Sequence, residues 1–136
     1  MIKSKFAISI HILSLLASYP GEWLTSDFIA SSLNSNAALV RKELSMLREA
    51  GLVESKEGKN GGNRLARSTK DIRMSEVFNL VKEEHIFSYA PNTPNPECSV
   101  GKLINEALNN LFTGIDNAVY KQLHGITLEE FTRKYF

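Results

Sequence analysis

Residues 35–67 read SNAALVRKELSMLREAGLVESKEGKNGGNRLAR, and the hydrophobic period changes half-way along this stretch. Apolar side chains in its first half recur at spacings of three and four: Ala37, Val40, Leu44 and Leu47. This period predicts a helix that is capped by Ser35 and ends at Gly51. In the second half, two short apolar runs at 52–55 and 64–66 flank a glycine-rich tip, which predicts a β-hairpin.

Two further helices are predicted upstream of this stretch. The first covers residues 5–19, and its inward stripe is Phe6, Ile10, Leu13 and Ala17. Pro20 and Gly21 end it. Thr25 and Ser26 are residue types that cap helices, so a short second helix is expected to run from there to about Leu33. The second and third helices are then joined by a tight turn and followed by the hairpin.

Downstream, residues 71–81 are expected to form another helix. The run PNTPNPEC at 91–98 contains three of the four prolines and can be neither a helix nor a central strand. A long helix with a broad apolar stripe is predicted from about 101 to 124, followed by an amphipathic turn or two at 127–136. The expected fold class is therefore mainly α with a small β-hairpin.

Composition narrows the class of protein. Of the 136 residues, 43% are hydrophobic and 23% are charged, as in a soluble globular protein. The most apolar run, near 6–17, is too short and too polar to cross a bilayer, so we expect a cytoplasmic protein without a membrane partner. The three histidines fall on separate predicted elements, with no nucleophile or paired carboxylate at a catalytic spacing, so an enzyme is not expected.

The glycine-rich tip at 57–62 is open to three interpretations. A nucleotide-binding loop leads from a strand into a helix N-terminus, whereas these glycines lead into another strand, which disfavours that interpretation. A solvated turn and a DNA-contacting wing remain. Residues 36–67 carry seven Lys and Arg against four Glu, and the preceding helix has a basic outer face. A helix, a turn, a helix and then a basic hairpin is the order of a winged helix-turn-helix.

The stretch from Ile29 to Val77 resembles the Rrf2 family of bacterial winged-helix transcription regulators. The resemblance is carried by Val40-Arg41, 44–47, 50–53, Gly61-Gly62 and 65–67, and the opening and long C-terminal helices fit the same layout. It implies a homodimer, held by the long helices, that binds double-stranded DNA at a pseudo-palindromic operator and usually represses. The expected domains are a winged helix-turn-helix at 1–82, a proline-rich loop at 83–100, and a dimerisation helix with a C-terminal helical turn at 101–136.

The winged-helix interpretation predicts which residues touch DNA. The expected contacts are Ser35, Asn36, Ala38, Arg41, Lys42 and Arg48 on the recognition helix, and Lys59, Asn60, Gly61, Gly62 and Arg64 on the wing. Asn36 and Arg41 could read base edges, whereas Lys42 and Arg48 lie further along the helix and could grip phosphates. The same sequence departs from the family pattern at Asn63, where many relatives have an aromatic residue, and at Arg73, where many have a hydroxyl cap.

The C-terminal part carries two further predictions. A dimer interface is expected along Ile104, Leu108, Leu111, Ile115 and Ala118. The only cysteine, Cys98, stands before the long helix and could be a redox sensor or a passive residue. Family members that carry an iron-sulfur cluster have three cysteines in this loop, so no cluster and no other metal is expected here. The signal, and whether a small molecule or a protein supplies it, stay open, as does the alternative of a protein-interaction module.

Overall fold

The computed structural model describes residues 2–136, with their side chains from Ser4 onward. In chain order its elements are α1 (Ile2–Ser18), α2 (Ser26–Leu33), α3 (Ala37–Glu49), β1 (Val53–Lys56), β2 (Gly62–Leu65), a short 3-10 helix (Thr69–Asp71), α4 (Met74–Val81), α5 (Ser99–His124) and α6 (Leu128–Tyr135). The two strands pair antiparallel, with Val53 opposite Leu65 and Lys56 opposite Gly62. The predicted fold class, mainly helical with a small hairpin and a long C-terminal helix, is confirmed.

The hydrophobic core joins α1, α3 and α4 beneath the hairpin. Its fully buried side chains include Ile12, Leu13, Ile29, Val40, Leu44, Leu47, Leu52, Ile72, Val77 and Leu128. In α1 the predicted inward stripe packs on the core, but it is only part of the buried surface of this helix. Only Leu13 of that stripe is buried, while Ile12 and Leu16 take the other central positions, because α1 is packed from several sides by α2, α4 and α6.

The end of α3 follows the prediction. Gly51 takes a positive φ of 78° and donates its backbone N–H to the carbonyl of Arg48 at 3.0 Å. The next backbone N–H, that of Leu52, reaches the carbonyl of Leu47 at 3.0 Å. A side chain at Gly51 would be strained by this left-handed backbone, so glycine stops the helix and starts the hairpin.

The C-terminal helix α6 folds back into the winged-helix core. Leu128 is fully buried there, and its backbone N–H donates to the carbonyl of Ile72 at 2.8 Å. The neighbouring N–H of Met74 donates to the carbonyl of Ile126 at 2.9 Å. The segment after α5 is therefore part of the same packed unit as α1 and α4.

The loop before α5 is fixed to that helix by a buried histidine. His85 Nδ1 lies 2.7 Å from Asp116 Oδ2, and His85 Nε2 lies 2.9 Å from Asn109 Oδ1. The second carboxylate oxygen of Asp116 accepts the backbone N–H of Ile86 at 3.0 Å. The side chains of His85 and Asp116 are only 8% and 6% exposed, and Phe112 packs against the histidine ring.

The long helix α5 has two apolar faces. Phe112 and Leu123 face the rest of the chain, while Val100, Leu103, Ala107, Leu111, Gly114 and Ala118 form an exposed stripe along the other side. Among the described residues, no helix is both long and apolar enough to cross a membrane.

Candidate nucleic-acid interface

The start of α3 is set by Asn36 and not by Ser35, so the predicted cap was wrong by one residue. Asn36 Oδ1 accepts a hydrogen bond of 2.8 Å from the backbone N–H of Leu39. Ser35 belongs to the end of α2, since Asn34 takes a left-handed conformation (φ 52°) and the N–H of Ser35 then donates to the carbonyl of Ala30 at 3.0 Å. This cap uses the side-chain oxygen of Asn36 as an acceptor. The side-chain amide nitrogen can still donate a hydrogen bond to a bound partner.

The outer face of α3 is polar and basic. All six residues predicted there are exposed: Ser35, Asn36, Ala38, Arg41, Lys42 and Arg48. The opposite face buries Val40, Leu44 and Leu47 in the core. Because its apolar stripe anchors the helix so firmly, the basic face is held at a fixed angle to the rest of the domain.

A groove runs between α3 and the hairpin and opens at the start of α2. Three elements form its walls: Thr25 and Ser26 of α2, Arg41 and Arg48 of α3, and Lys56, Gly61 and Gly62 of the hairpin. Glu57 at the turn is an acidic residue in the same lining. Two arginines and the positive end of a helix dipole favour anionic phosphate groups in this groove, whereas the ammonium of Lys56 lies 5.9 Å from the centre of the Trp23 ring.

A chain of hydrogen bonds fixes the hairpin to α3 on the groove side. Arg48 Nη1 donates to Ser55 Oγ at 2.9 Å, and Ser55 Oγ donates to Asn63 Oδ1 at 2.6 Å. Asn63 Nδ2 then donates to the carbonyl of Leu24 at 3.1 Å. Asn63, which stands where many family members have an aromatic residue, is only 6% exposed. It therefore attaches the wing to the domain and does not form part of the outer surface of the wing.

Arg64 lies on the other face of the hairpin. Side chains alternate between the two faces of a strand, so Arg64 and its cross-strand partner Glu54 point away from Ser55 and Asn63. Arg64 Nε is 2.5 Å from Glu54 Oε1, and the guanidinium lies 4.1 Å from the centre of the Trp23 ring. The structure therefore does not bring Arg64 into the groove.

The glycine pair is required by contacts within the chain. A Cβ at Gly62, where φ is 153°, would lie 2.7 Å from the backbone carbonyl of Leu24. A Cβ at Gly61 would lie only 2.0 Å from the carbonyl oxygen of Lys56. Leu24 and Asn63 exchange backbone hydrogen bonds of 2.9 and 2.7 Å across this approach. Beyond it, Lys59 and Asn60 form the exposed tip of the wing.

Cys98 is exposed and caps α5. Its Sγ accepts the backbone N–H of Gly101 at 3.4 Å. The hydrogen bonds from the N–H groups of Gly101 and Val100 lower the pKa of the Cys98 thiol, because they stabilise the thiolate. The helix begins two residues earlier than predicted, at Ser99, because Cys98 acts as this cap.

The predicted dimer residues divide between two positions on α5. Leu111 and Ala118 lie in the exposed apolar stripe, and Leu111 is 59% exposed. Ile104, Leu108 and Ile115 are half-buried along the edge of that stripe.

These features match a known family along almost the whole chain. A sequence profile described as "Rrf2: Iron-dependent Transcriptional regulator" matches residues 2–134. The chain belongs to the Rrf2 family. It is a DNA-binding transcription regulator and not an enzyme, which also disfavours the alternative of a protein-interaction module.

Individual relatives of this Rrf2 regulator agree with the match. It is 36% identical over 137 residues to YwnA of Bacillus subtilis (strain 168), named as a candidate HTH-type transcriptional regulator, and the alignment covers 100% of both chains. A crystal structure of a candidate DNA-binding protein is 32% identical, with a TM-score of 0.74 over 93% of this chain and 97% of that one. The structure of CymR, the global cysteine regulator of B. subtilis, shares the fold at 23% identity, with a TM-score of 0.71 over 97% of this chain and 95% of CymR.

The residues of this Rrf2 regulator do not fit the iron cofactor that the family description implies. A cluster needs several thiolate or imidazole ligands, and the chain has one cysteine. Both ring nitrogens of His85, the nearest histidine in sequence, are already hydrogen-bonded within the fold. Among the described residues, no group of three or more His, Cys, Asp or Glu could hold a metal ion.

Four residues near the groove were missed by the sequence interpretation: Thr25, Ser26, Lys56 and Asn63. Thr25 and Ser26 were identified only as caps, although the start of the first helix of a helix-turn-helix faces the same side as the recognition helix. Strand alternation places Lys56 on the face of Glu54 and Arg64, and its ammonium lies 5.9 Å from the centre of the Trp23 ring, so only part of this residue lines the groove. Nothing local in the sequence marks Asn63 as buried.

Proposed function

We propose that the protein is a homodimeric, cytoplasmic repressor that binds a pseudo-palindromic operator without an iron-sulfur cluster. The observation that carries this proposal is the groove in which Arg41 and Arg48 meet the hairpin and the start of α2. In the dimer, the two copies of α3 would enter successive major grooves.

Each part of the interface receives a role. Asn36, Ala38 and Arg41 reach base edges at the start of α3, and Ser35 joins them at the turn. Lys42 and Arg48 contact phosphates, together with Thr25 and Ser26. At the wing tip, Lys59 and Asn60 contact the minor groove or its flanking phosphates. Gly61 and Gly62 set the shape of the wing, and Arg64 supports it through Glu54 and Trp23.

The proposal is tested by selecting duplexes from a random pool with the purified protein and then measuring operator affinity. A palindromic consensus is the expected result. Arg41→Ala should weaken operator binding by about 10-fold to 100-fold, as loss of a guanine contact does, and should relax the sequence preference at one position of each half-site. Lys42→Ala should weaken all duplexes alike and reduce the salt slope by about one.

Lys70→Ala provides the matched control, because Lys70 is an exposed cation on the 3-10 helix away from the groove. It should leave affinity and salt slope unchanged. Unchanged operator affinity in Arg41→Ala, with the variant folded, would contradict the assignment of α3 as the reading helix.

Cys98 is proposed as the redox-responsive residue of this regulator. Its exposure and its stabilised thiolate favour oxidation by peroxide to a sulfenic acid, with the peroxide reduced to water. Oxidation replaces the thiolate, which the backbone N–H groups at the start of α5 stabilise, by a larger group, so the start of the helix would change. Operator affinity measured with and without hydrogen peroxide should differ in the native protein and should not differ in Cys98→Ser.

A further inference from the structure

Arg48 and Arg64 lie on opposite sides of the hairpin and are held in different ways. Arg64 is paired with the carboxylate of Glu54 at 2.5 Å. Arg48 Nη1 instead donates to the neutral hydroxyl of Ser55 at 2.9 Å, and within the part of the chain that the structure describes it has no carboxylate partner. A carboxylate offsets the charge of a guanidinium, whereas a hydroxyl orients the group and leaves its charge in place. Arg48 therefore keeps its positive charge in the groove that it lines.

The chain of hydrogen bonds that holds Arg48 can run in one direction only. A backbone carbonyl only accepts, so the contact of 3.1 Å with the carbonyl of Leu24 requires the amide nitrogen of Asn63 as the donor. The amide oxygen of Asn63 then accepts the hydroxyl hydrogen of Ser55 at 2.6 Å. The oxygen of Ser55 is thereby left as an acceptor for Arg48, whose guanidinium can only donate.

Ser55 cannot itself bind a phosphate while this chain of hydrogen bonds is intact. Its hydroxyl has a single hydrogen, which it donates to Asn63, and the oxygens of a phosphodiester only accept. Arg48, in contrast, uses one guanidinium N–H group for Ser55 and keeps others for a further acceptor. Ser55 is exposed at the groove, yet it can act on bound DNA only through the arginine.

We propose that Ser55 is a positioning residue for DNA binding, which holds the guanidinium of Arg48 in the groove before a phosphate of the duplex arrives. A long side chain loses rotamer freedom when it binds, and this loss weakens binding unless the side chain is already ordered. Ser55 can order Arg48 because its own partner, Asn63, is only 6% exposed and is hydrogen-bonded to the turn before α2. This role rests on the proposed contact of Arg48 with phosphate.

Attachment of the wing does not need the arginine. Leu24 and Asn63 exchange two backbone hydrogen bonds, and the two strands pair along their whole length. The bond from Arg48 to Ser55 joins two exposed side chains, so it adds little to this attachment. Its effect is expected in the binding of DNA.

The test measures operator affinity and its salt dependence for Ser55→Ala, for Arg48→Ala and for the double variant. Ser55→Ala should weaken binding about threefold to tenfold, the usual cost of ordering one long side chain. Its salt slope should stay unchanged, because the number of phosphate contacts is the same. Arg48→Ala should reduce the salt slope by about one. In the double variant, Ser55→Ala should have no further effect, because the residue on which it acts is absent.

Ser55→Thr is the matched control, since threonine keeps the hydroxyl and suits an exposed position in a strand. It should bind the operator as the native protein does. A loss in Ser55→Ala that persists in the Arg48→Ala background would overturn the proposal, because Ser55 would then act through the wing or on DNA directly. A salt slope that falls by about one in Ser55→Ala alone would overturn it as well.

Native affinity in Arg48→Ala would also overturn the proposal, since the positioned group would then not touch DNA. The proposed function is decided separately by Arg41→Ala, because Arg41 takes no part in the hydrogen bonds of Ser55. Weak binding by Arg41→Ala together with native affinity in Arg48→Ala would retain the DNA-binding groove and reject Ser55 as its positioning residue.

Discussion

At the scale of single residues, the attachment of the wing depends on side chains that sequence patterns place on its surface. Asn63 is buried and hydrogen-bonded on both sides of its amide, to Ser55 and to Leu24. Gly62 lies against the backbone of Leu24, where no side chain fits. The wing is thus a hairpin held against the turn before α2, and its shape depends on two residues that need not touch DNA.

Gly62→Ala is expected to destabilise the protein by more than Gly58→Ala does. Both glycines have positive φ, 153° and 98°, so alanine is strained at either position, at a cost of about 1 kcal/mol or more. Only at Gly62 would the new Cβ also meet backbone, since nothing lies within 4 Å at Gly58. Urea unfolding of both variants measures the difference. Equal losses of stability in the two variants would show that the backbone of Leu24 lies farther from Gly62 than in this structure.

At the scale of elements, α5 is oriented by a buried charge pair as well as by apolar packing. The hydrogen bonds to Asp116 and Asn109 raise the pKa of His85, with the nearby Glu84 acting in the same direction. Burial opposes ionisation of Asp116, but the hydrogen bonds from Ile86 and His85, with Lys82 nearby, lower its pKa overall. His85 is therefore favoured as a cation that donates from both ring nitrogens.

The sign of this shift predicts how stability depends on pH. The folded pKa of His85 lies above its ordinary value near 6.5, so the stabilisation is fully present below about pH 6.5 and is lost as pH rises through the folded value. The Asp116 contribution is lost only as pH falls below its usual range, near 3.8. The difference in unfolding free energy between the native protein and His85→Gln should thus be larger at about pH 5.5 than at about pH 8.5. A difference that grows toward alkaline pH would contradict the pairing.

At the scale of the whole molecule, the C-terminal segment belongs to the DNA-binding unit. The sequence interpretation drew a boundary at residue 101, whereas α6 returns to α1 and contributes Leu128 to the core. The packed unit therefore includes the elements from α1 to α4 together with α6, and α5 connects them while it packs along α4.

Leu128→Ala should lower the unfolding free energy by about 2–5 kcal/mol, because it leaves a cavity in a fully buried position. Arg133→Ala on the exposed side of the same helix should change it by less than about 0.5 kcal/mol. Both values come from urea unfolding followed by circular dichroism. A small effect of Leu128→Ala would mean that α6 is only loosely attached.

The exposed stripe of α5 predicts which substitution would dissociate the proposed dimer. Leu111→Lys places a charge in the centre of this stripe, so sedimentation equilibrium at micromolar concentration should change from a dimer to a monomer. Thr113→Lys is the control, since Thr113 is exposed on α5 outside the stripe. A dimer that persists in Leu111→Lys would place the subunit contact elsewhere.

How much could be predicted depended on the range of the interactions involved. Helix periods, the Gly51 stop and the hairpin are local, so residues 35–67 alone indicated the recognition helix and the wing. The cap of α3 was wrong by one residue because Asn34, in the preceding turn, adopts a left-handed backbone. The inward stripe predicted for α1 faces the core but omits the buried Ile12 and Leu16, because α1 is packed from several sides and has no single buried face.

The sequence by itself determined the order of elements, the basic face of α3 and the family, because period, capping and glycine positions act over a few residues. Only the tertiary structure decided that Arg64 turns toward Glu54 and Trp23 while Arg48 connects to the wing, since strand register sets which face each side chain occupies. It also decided that Leu128 of α6 completes the core against α1. These features join residues far apart in the chain, and no local pattern encodes their contact.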